Sequence, residues 1–531
     1  MSLDRRAIDR LVDLADVLAG AWSARARAST TPGCERALLR LAGVNGLDRN
    51  GRPLAWSVVD RYLTGRPERL PGGILSAFAV AALEYEAPPQ DLALDVSAGT
   101  VDLGLEAELL AHPDRRADAE AEIARWAVAA LDRIDANRTA RRELVDVLGD
   151  PAQPWIAATV TEPEADDALV EARSLVAAGA DLVRVDVPAG RELHDRLQAV
   201  GIELEPWHAR PDARRRLRDP DDVAPAGSQR GLGRLREALD EAAAERRSFV
   251  RIGTSAPPLA APEQAVVAAF ERIDVIEADA MADIVDGIDP DRALADHAFA
   301  QRLTARAGGI VLAGAGPLVV GPDFARGTPS SAAILAGRAL ALQLVGVAMA
   351  RANGVPAAQI VVGAIPPWVA DAREPTLQAI AGVALRRRLF PDYSLAFDEP
   401  PLGTASAAAW PFLVSASLPA AGIPSAGGTA LVIARSSRGS DAARIGSLRA
   451  AVRIGMAATG ALAPPTLSGV SAEHADLILH AARDTLDRLA NEGWRSVVGD
   501  APAAVGVRGL GAGAVAERTD TFDPLAVRAP A

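Results

Sequence analysis

Residues 309–364 decide the fold, because they contain a strand, a helix and a second strand in succession. The runs Gly309-Ile310-Val311-Leu312-Ala313 and Gln359-Ile360-Val361-Val362-Gly363-Ala364 are almost continuously apolar, which is typical of parallel strands covered on both faces. Between them, Ala332 to Asn353 has the length and the apolar spacing of a helix. This order predicts a parallel β-α-β unit.

The same alternation extends in both directions along the chain. Six further β-rich runs are separated by helical stretches, and they lie at residues 155–161, 182–187, 201–205, 249–253, 275–278 and 394–397. Eight β units over about 250 residues are the count and size of a (β/α)8 TIM barrel. A doubly wound open sheet is the alternative α/β fold, and the third unit has the weakest strand pattern.

Three sections follow from this pattern. We expect a helical N-terminal region over residues 1–150, a TIM-barrel domain over 151–403, and a helical C-terminal region with an irregular tail over 404–531. Gly149-Asp150-Pro151 separates the first section from the second, since Gly and Pro end helices.

Composition excludes several classes of protein. The net charge of −13 argues against nucleic-acid binding, which needs basic surface to neutralise phosphates. No run reaches the roughly 18 apolar residues of a membrane helix, and the first twenty residues are too charged for a signal peptide. The single cysteine, Cys34, excludes an intrachain disulfide. We therefore expect a cytoplasmic protein.

The chain contains no lysine, so all 56 basic residues are arginine. A high-GC genome is one explanation for such usage. The chemical consequence is the same in any case: no lysine Schiff base with pyridoxal phosphate (PLP) or with a carbonyl substrate can form on this chain. A phosphate-binding P-loop, which needs a lysine, is excluded too.

Polar residues lie at or just after the carboxyl ends of several predicted strands, and in a barrel these positions surround the site. They are Glu162, Glu164, Asp186, Glu205, His208, Thr254, Ser255, Glu277, Asp279, Asp398 and Glu399. Neighbouring carboxylates can share a proton or hold a divalent cation. Helix capping is the alternative role for each acidic residue, because Asp and Glu suit helix N-termini. We assign no metal site.

The segment Pro188-Ala189-Gly190-Arg191 is the best candidate for a phosphate loop. It combines a glycine turn, an arginine and the start of a helix. Tight-turn geometry alone is the other explanation. The run Gly314-Ala315-Gly316-Pro317 could also present backbone amides to an anion.

Several segments, taken in order along almost the whole chain, resemble the alpha subunits of lysine 5,6-aminomutases. The most specific is the N-terminal run from Thr30-Thr31 through Cys34-Glu35-Arg36-Ala37 to Asp48. The others lie at residues 53–60, 137–138, 178–181, 250–251, 269–275, 279–281 and 522–524.

The resemblance implies a barrel subunit that holds PLP and an amino-acid substrate. It also implies a separate cobalamin-binding beta subunit, which brings adenosylcobalamin and the lysine that binds PLP. The hetero-oligomer would be a radical isomerase that moves a terminal amino group to the neighbouring carbon. The absence of lysine and of a cobalamin signature in this chain fits that division of labour.

The chain departs from the family in the PLP pocket. The family's Arg-Thr-Thr-Gly-Gln-Ser-like phosphate loop corresponds to residues 187–192, where only the glycine is retained and Arg191 is displaced. The family's stacking tyrosine and a following arginine correspond to Ala282 and Gly287. The cofactor-binding positions that we carry over are Gly190, Arg191, Ser255 and Asp279. No catalytic residue is assigned.

Three functions therefore stay open. The first is an aminomutase-like isomerase subunit with an altered pocket. The second is a PLP-independent subunit of a cobalamin-dependent enzyme. The third is a non-catalytic partner or regulator of an aminomutase.

Overall fold

A computed structural model gives the architecture of the chain. It describes residues 5–160, 165–185, 229–256, 259–278, 281, 289–313, 329–365, 375–398, 406–421, 432–436, 442–461, 470–493, 515–519 and 525.

Eight parallel strands form a closed barrel in the order β2-β3-β4-β5-β6-β7-β8-β9, which confirms the predicted TIM-barrel fold. Their bounds are β2 Trp155–Val160, β3 Leu182–Val185, β4 Arg251–Ser255, β5 Val275–Glu277, β6 Ile310–Ala313, β7 Ile360–Ile365, β8 Ser394–Asp398 and β9 Val432–Ser436. Strands β9 and β2 pair in parallel and close the barrel.

The last barrel strand corrects the sequence analysis. Strand β9 lies beyond residue 403, where the barrel domain was expected to end and a helical region to begin. The predicted third strand, residues 201–205, lies outside the described residues. The barrel domain therefore extends at least to Ser436.

Helices cover the barrel and form the N-terminal region. The N-terminal helices are α1 Arg5–Arg27, α2 Pro32–Leu41, α3 Leu54–Leu63, α4 Leu75–Glu84, α5 Pro89–Ala98, α6 Leu103–Glu106 and α7 Pro113–Leu148, with 3-10 turns at Pro67–Gly72 and Ala107–Ala111. The later helices are α8 Ala165–Ala178, α9 Gln229–Arg246, α10 Ala261–Phe270, α11 Pro290–Ala307, α12 Pro329–Ala352, α13 Pro375–Leu389, α14 Ser406–Ala421, α15 Ala442–Ala461 and α16 Val470–Glu492, with a 3-10 turn at Ala357–Gln359. Among the described helices, none is long and apolar enough to span a bilayer.

The run from Thr30 to Asp48, which we term the N-terminal signature segment, docks the N-terminal helices onto the barrel helices. Thr31 caps α2 by accepting a hydrogen bond from the Cys34 amide at 3.0 Å, and its hydroxyl donates to Asp296 of α11. Arg40 Nε lies 3.0 Å from Glu263 Oε1 of α10. Burial, with a smaller contribution from Asp296, raises the pKa of the Cys34 thiol far above its usual range. Cys34 is therefore an inert thiol in a packed interface.

A small antiparallel sheet joins the two ends of the described chain. Strand β1, Ser29–Thr30, pairs with β10, Ala516–Glu517. The Arg518 amide donates to the Ala28 carbonyl at 2.8 Å, and the Arg518 side chain reaches Glu35 at 3.1 Å. Glu35 is buried and also accepts from the Ile74 amide at 2.7 Å. This carboxylate therefore connects α2 with the start of α4 and with the segment that follows β10.

Two aspartates form the same contact at the amino ends of barrel strands: each precedes one strand and accepts a hydrogen bond from a backbone amide of the neighbouring strand. Asp181 precedes β3 and accepts from the Ile156 amide of β2 at 2.9 Å, and it also pairs with Arg246. Asp274 precedes β5 and accepts from the Ile252 amide of β4 at 2.9 Å. Because these contacts lie at the face opposite the barrel mouth, they are expected to serve stability.

The barrel interior is a packed apolar core. Its floor consists of Trp155, Ala157, Leu182, Val275, Leu312, Val361 and Ala396. The indole of Trp155 donates to the Pro151 carbonyl at 3.2 Å, and the Arg251 guanidinium lies 3.7 Å from the indole ring centroid. Arg251 in turn pairs with Asp150. These contacts close the amino end of the barrel.

All three tyrosines are expected to resist ionisation in the folded protein. Burial is the main cause that raises the pKa of Tyr62 and of Tyr393, and a hydrogen bond to Glu106 raises the pKa of Tyr85. Above pH 10, the ordinary pKa of tyrosine, the unfolded chain releases phenolic protons that the folded chain retains. The free energy of unfolding should therefore fall as the pH rises through this range. Phenolate absorbance measured at pH 10 checks this, and half-ionisation of the folded protein at that pH would contradict it.

Candidate functional site

An ion pair lies inside the barrel at the carboxyl ends of β3 and β5. Arg184 Nη2 donates to Glu277 Oε2 at 2.6 Å. The two side chains are 15% and 20% exposed. In this fold the carboxyl ends of the strands form the face that carries function. The pair therefore occupies the position in which a site is expected.

Strand alternation explains why these charged side chains point into the barrel. Leu182 and Val275 belong to the apolar floor, and residues two positions further along a strand face the same side. Ser255 pairs in register with Glu277, and Thr159 pairs with Arg184. These four residues, Thr159, Arg184, Ser255 and Glu277, form what we term the mouth layer.

The mouth layer offers several binding groups above the apolar floor. A guanidinium binds carboxylates or phosphates, a carboxylate binds cationic groups, and hydroxyls can donate or accept. This combination suits a small polar ligand. Among the residues that the structure describes, no three His, Cys, Asp or Glu side chains are grouped to hold a metal ion.

One of the four predicted cofactor-binding residues lies in the mouth layer. Ser255 ends β4 and is partly exposed. Gly190, Arg191 and Asp279 lie outside the described residues.

The predicted polar rim is described only in part. Glu277 lies in the mouth layer, and Asp398 ends β8 in register with Arg435 of β9. The remaining rim residues, apart from Thr254 and Ser255, lie outside the described ranges, and they are Glu162, Glu164, Asp186, Glu205, His208, Asp279 and Glu399.

Thr254 does not face the mouth, contrary to the sequence analysis. It is fully buried, and its hydroxyl accepts a hydrogen bond from Gln264 Nε2 of α10 at 3.1 Å. The reason is again the two-residue period of a strand: Ser255 faces the barrel interior, so its neighbour faces the helices.

Arg184 and Thr159 are the mouth-layer residues that sequence reasoning missed. That reasoning considered only positions at or after the ends of the predicted strands, whereas Arg184 and Thr159 lie further inside them. The available signal was the alternation in Leu182-Val183-Arg184-Val185, where the side chains of Leu182 and Arg184 share a face.

Comparison with known proteins places the chain in a family. Residues 1–200 and 227–404 match the family described as the D-Lysine 5,6-aminomutase TIM-barrel domain of alpha subunit. A lysine 5,6-aminomutase alpha subunit of Acetoanaerobium sticklandii is 26% identical over 372 residues. The protein of the same name from Fusobacterium nucleatum subsp. nucleatum is 25% identical over 375 residues. Each alignment covers 70% of this chain and 66% of the relative, which is just under two thirds of the relative's length.

A solved structure is also similar, but only weakly. The structure of dihydropteroate synthase from Anaplasma phagocytophilum with bound 6-hydroxymethylpterin-monophosphate aligns with a TM-score of 0.34 and 15% identity. It covers 56% of this chain and 98% of that chain. A likeness at this level carries no functional argument. The family match, in contrast, runs through the N-terminal helices and most of the barrel, and the chain belongs to the family of lysine 5,6-aminomutase alpha-subunit TIM-barrel domains.

Proposed function

We propose that this chain is the barrel subunit of an aminomutase-like isomerase that moves a terminal amino group of an amino acid to the neighbouring carbon. The observation that supports this most strongly is the family match across residues 1–200 and 227–404. The mouth layer adds support, because its ion pair and hydroxyls suit a small polar substrate.

The proposed enzyme uses PLP and adenosylcobalamin. Covalent attachment of PLP does not fit this chain, because it has no lysine side chain. Non-covalent binding fits the hydroxyl of Ser255 at the mouth, and we propose that Gly190, Arg191 and Asp279 complete this contact. When bound, the two cofactors supply an adenosyl radical and a conjugated ring that delocalises an unpaired electron.

The residues of this chain would bind and orient the substrate. The apolar floor beneath the mouth layer excludes water from below, since it is packed with buried side chains. Arg184 and Glu277 supply one positive and one negative group beside the bound substrate. The chain thus contributes binding and positioning.

We propose a cobalamin-binding partner subunit and a cytoplasmic hetero-oligomer. The partner would supply adenosylcobalamin and the lysine that anchors PLP, which are the two groups that the barrel chain does not provide in the proposed division of labour. The names of the relatives, which are alpha subunits, support a multi-subunit enzyme.

Reconstitution tests the proposal. The chain is co-expressed with a cobalamin-binding beta subunit of an aminomutase, and the purified complex is assayed for amino-group migration on D- and L-lysine with both cofactors. We expect one heteromeric peak on size exclusion, turnover that needs both cofactors, and borohydride-fixed pyridoxyl on the partner chain alone. Turnover without PLP would indicate the PLP-independent enzyme, and an intact complex without turnover would indicate a non-catalytic partner.

A further inference from the structure

The ion pair in the mouth layer carries both signs of charge within one site. We infer that Arg184 and Glu277 bind the carboxylate and the ammonium group of a zwitterionic amino acid. On this basis the pair determines selectivity for amino acids over analogues that carry only one of these charges. The inference rests on the proposed function, in which the barrel mouth binds an amino acid.

The geometry lets one small head group reach both residues. The Arg184 Nη2 and Glu277 Oε2 atoms are 2.6 Å apart. Arg184 pairs in register with Gly253, so the intervening strand carries no side chain on this face at that level. Both charged side chains lie above the floor residues and keep part of their surface exposed. A ligand that enters from the mouth therefore meets the two charges together.

Electrostatics favours a ligand with two opposite charges. When a zwitterion enters, the guanidinium can bind its carboxylate through two parallel hydrogen bonds, and the glutamate can accept from its ammonium group. Every charge of the original pair then has a new partner. A ligand with only one of these charges can engage only one member of the pair, so it forms fewer charge-assisted hydrogen bonds in the site.

A purely structural role makes a different prediction. An ion pair that only links β3 to β5 would affect stability when it is broken, and it would weaken all ligands equally. A pair that recognises the head group would weaken each ligand according to the charge that the ligand carries. Charge-dependent loss of binding therefore separates the two roles.

The test measures equilibrium binding by calorimetry with the full-length chain in its complex. The probes are lysine, 1,5-diaminopentane, which lacks the carboxylate, and 6-aminohexanoate, which lacks the α-ammonium group. For the unaltered chain we expect lysine to bind at least about tenfold more tightly than either analogue. Arg184→Gln should weaken lysine by about tenfold or more without weakening diaminopentane, whereas Glu277→Gln should weaken lysine without weakening 6-aminohexanoate.

Three further variants serve as controls. Arg184→Lys and Glu277→Asp keep the charges, so they should retain the preference for lysine over both analogues. Arg173→Gln removes a solvent-exposed ion pair with Glu241 and should leave all three affinities unchanged. Circular dichroism of each variant reports folding.

Two results would overturn the inference. One is equal binding of lysine and both analogues, or no binding of any probe, by the unaltered chain. The other is an equal loss for all probes in folded Arg184→Gln and Glu277→Gln. Failure of the proposed function is separate: absent turnover together with charge-dependent binding would reject the isomerase and keep the inference. Turnover with unchanged selectivity in Arg184→Gln would reject only the inference.

Discussion

Replacing Asp274 with alanine is expected to lower the free energy of unfolding by about 3–5 kcal/mol. The carboxylate accepts from the Ile252 amide at 2.9 Å and from Arg236 Nη1 at 3.1 Å, and Arg141 Nε lies 3.7 Å away. Arg236 is only 2% exposed. Removal of the Asp274 carboxylate would leave the buried Ile252 amide without its acceptor and the buried Arg236 guanidinium with fewer counter-charges. Chemical denaturation followed by circular dichroism measures the change.

A surface aspartate provides the matched control for this change. Asp166 pairs with Arg234, and both side chains are largely exposed. Asp166→Ala should therefore change the free energy of unfolding by no more than about 1 kcal/mol. If Asp274→Ala lowered the free energy of unfolding as little as Asp166→Ala, Asp274 could not be the anchor that its buried contacts indicate.

Trp155→Ala should be comparably damaging, at about 3–5 kcal/mol. Trp155 is 1% exposed and forms part of the barrel floor. Alanine would open a cavity inside a closed barrel, whose strands have little freedom to collapse into it. It would also remove the aromatic face beneath the Arg251 guanidinium. Thermal unfolding and denaturant titration of the purified variant test this.

Two comparisons isolate the cause of the Trp155 effect. Trp155→Phe keeps most of the ring but loses the hydrogen bond to Pro151, so its cost should be about 1–2 kcal/mol. Phe412→Ala removes an aromatic ring that is 63% exposed, and its effect should stay within about 1 kcal/mol. A Trp155→Ala variant no less stable than Phe412→Ala would show that the floor is not a close-packed core.

The barrel could be predicted from the sequence because most of its strands are short apolar runs between helices. Seven of the predicted strands, such as 155–161 and 275–278, overlap barrel strands of the structure. The missed strand, Val432–Ser436, follows the apolar pair Ala430-Leu431 in a segment rich in alanine, glycine and serine. Periodicity cannot separate so short an apolar run from part of a helix. Its assignment depends on pairing with β8 and β2, which only the closed barrel provides.

The candidate site could be predicted only in part. Ser255 and Glu277 were accessible to sequence reasoning because they end strands of a barrel. The Arg184–Glu277 contact was not, since it depends on the register of β3, β4 and β5, and one residue of slip would move each side chain to the other face. The N-terminal signature segment was correctly singled out, but in the described structure its contacts dock helices.

The pairing of β1 with β10 has a consequence for biosynthesis. The two strands are separated by about 490 residues of chain. At roughly 5–20 residues per second, the ribosome finishes β10 about 25–100 s after it has made β1. Throughout this time, the edge at Ser29–Thr30 lacks its native partner, and the Glu35 carboxylate lacks Arg518. The N-terminal region can therefore acquire its native set of contacts only after the ribosome has made β10 and Arg518.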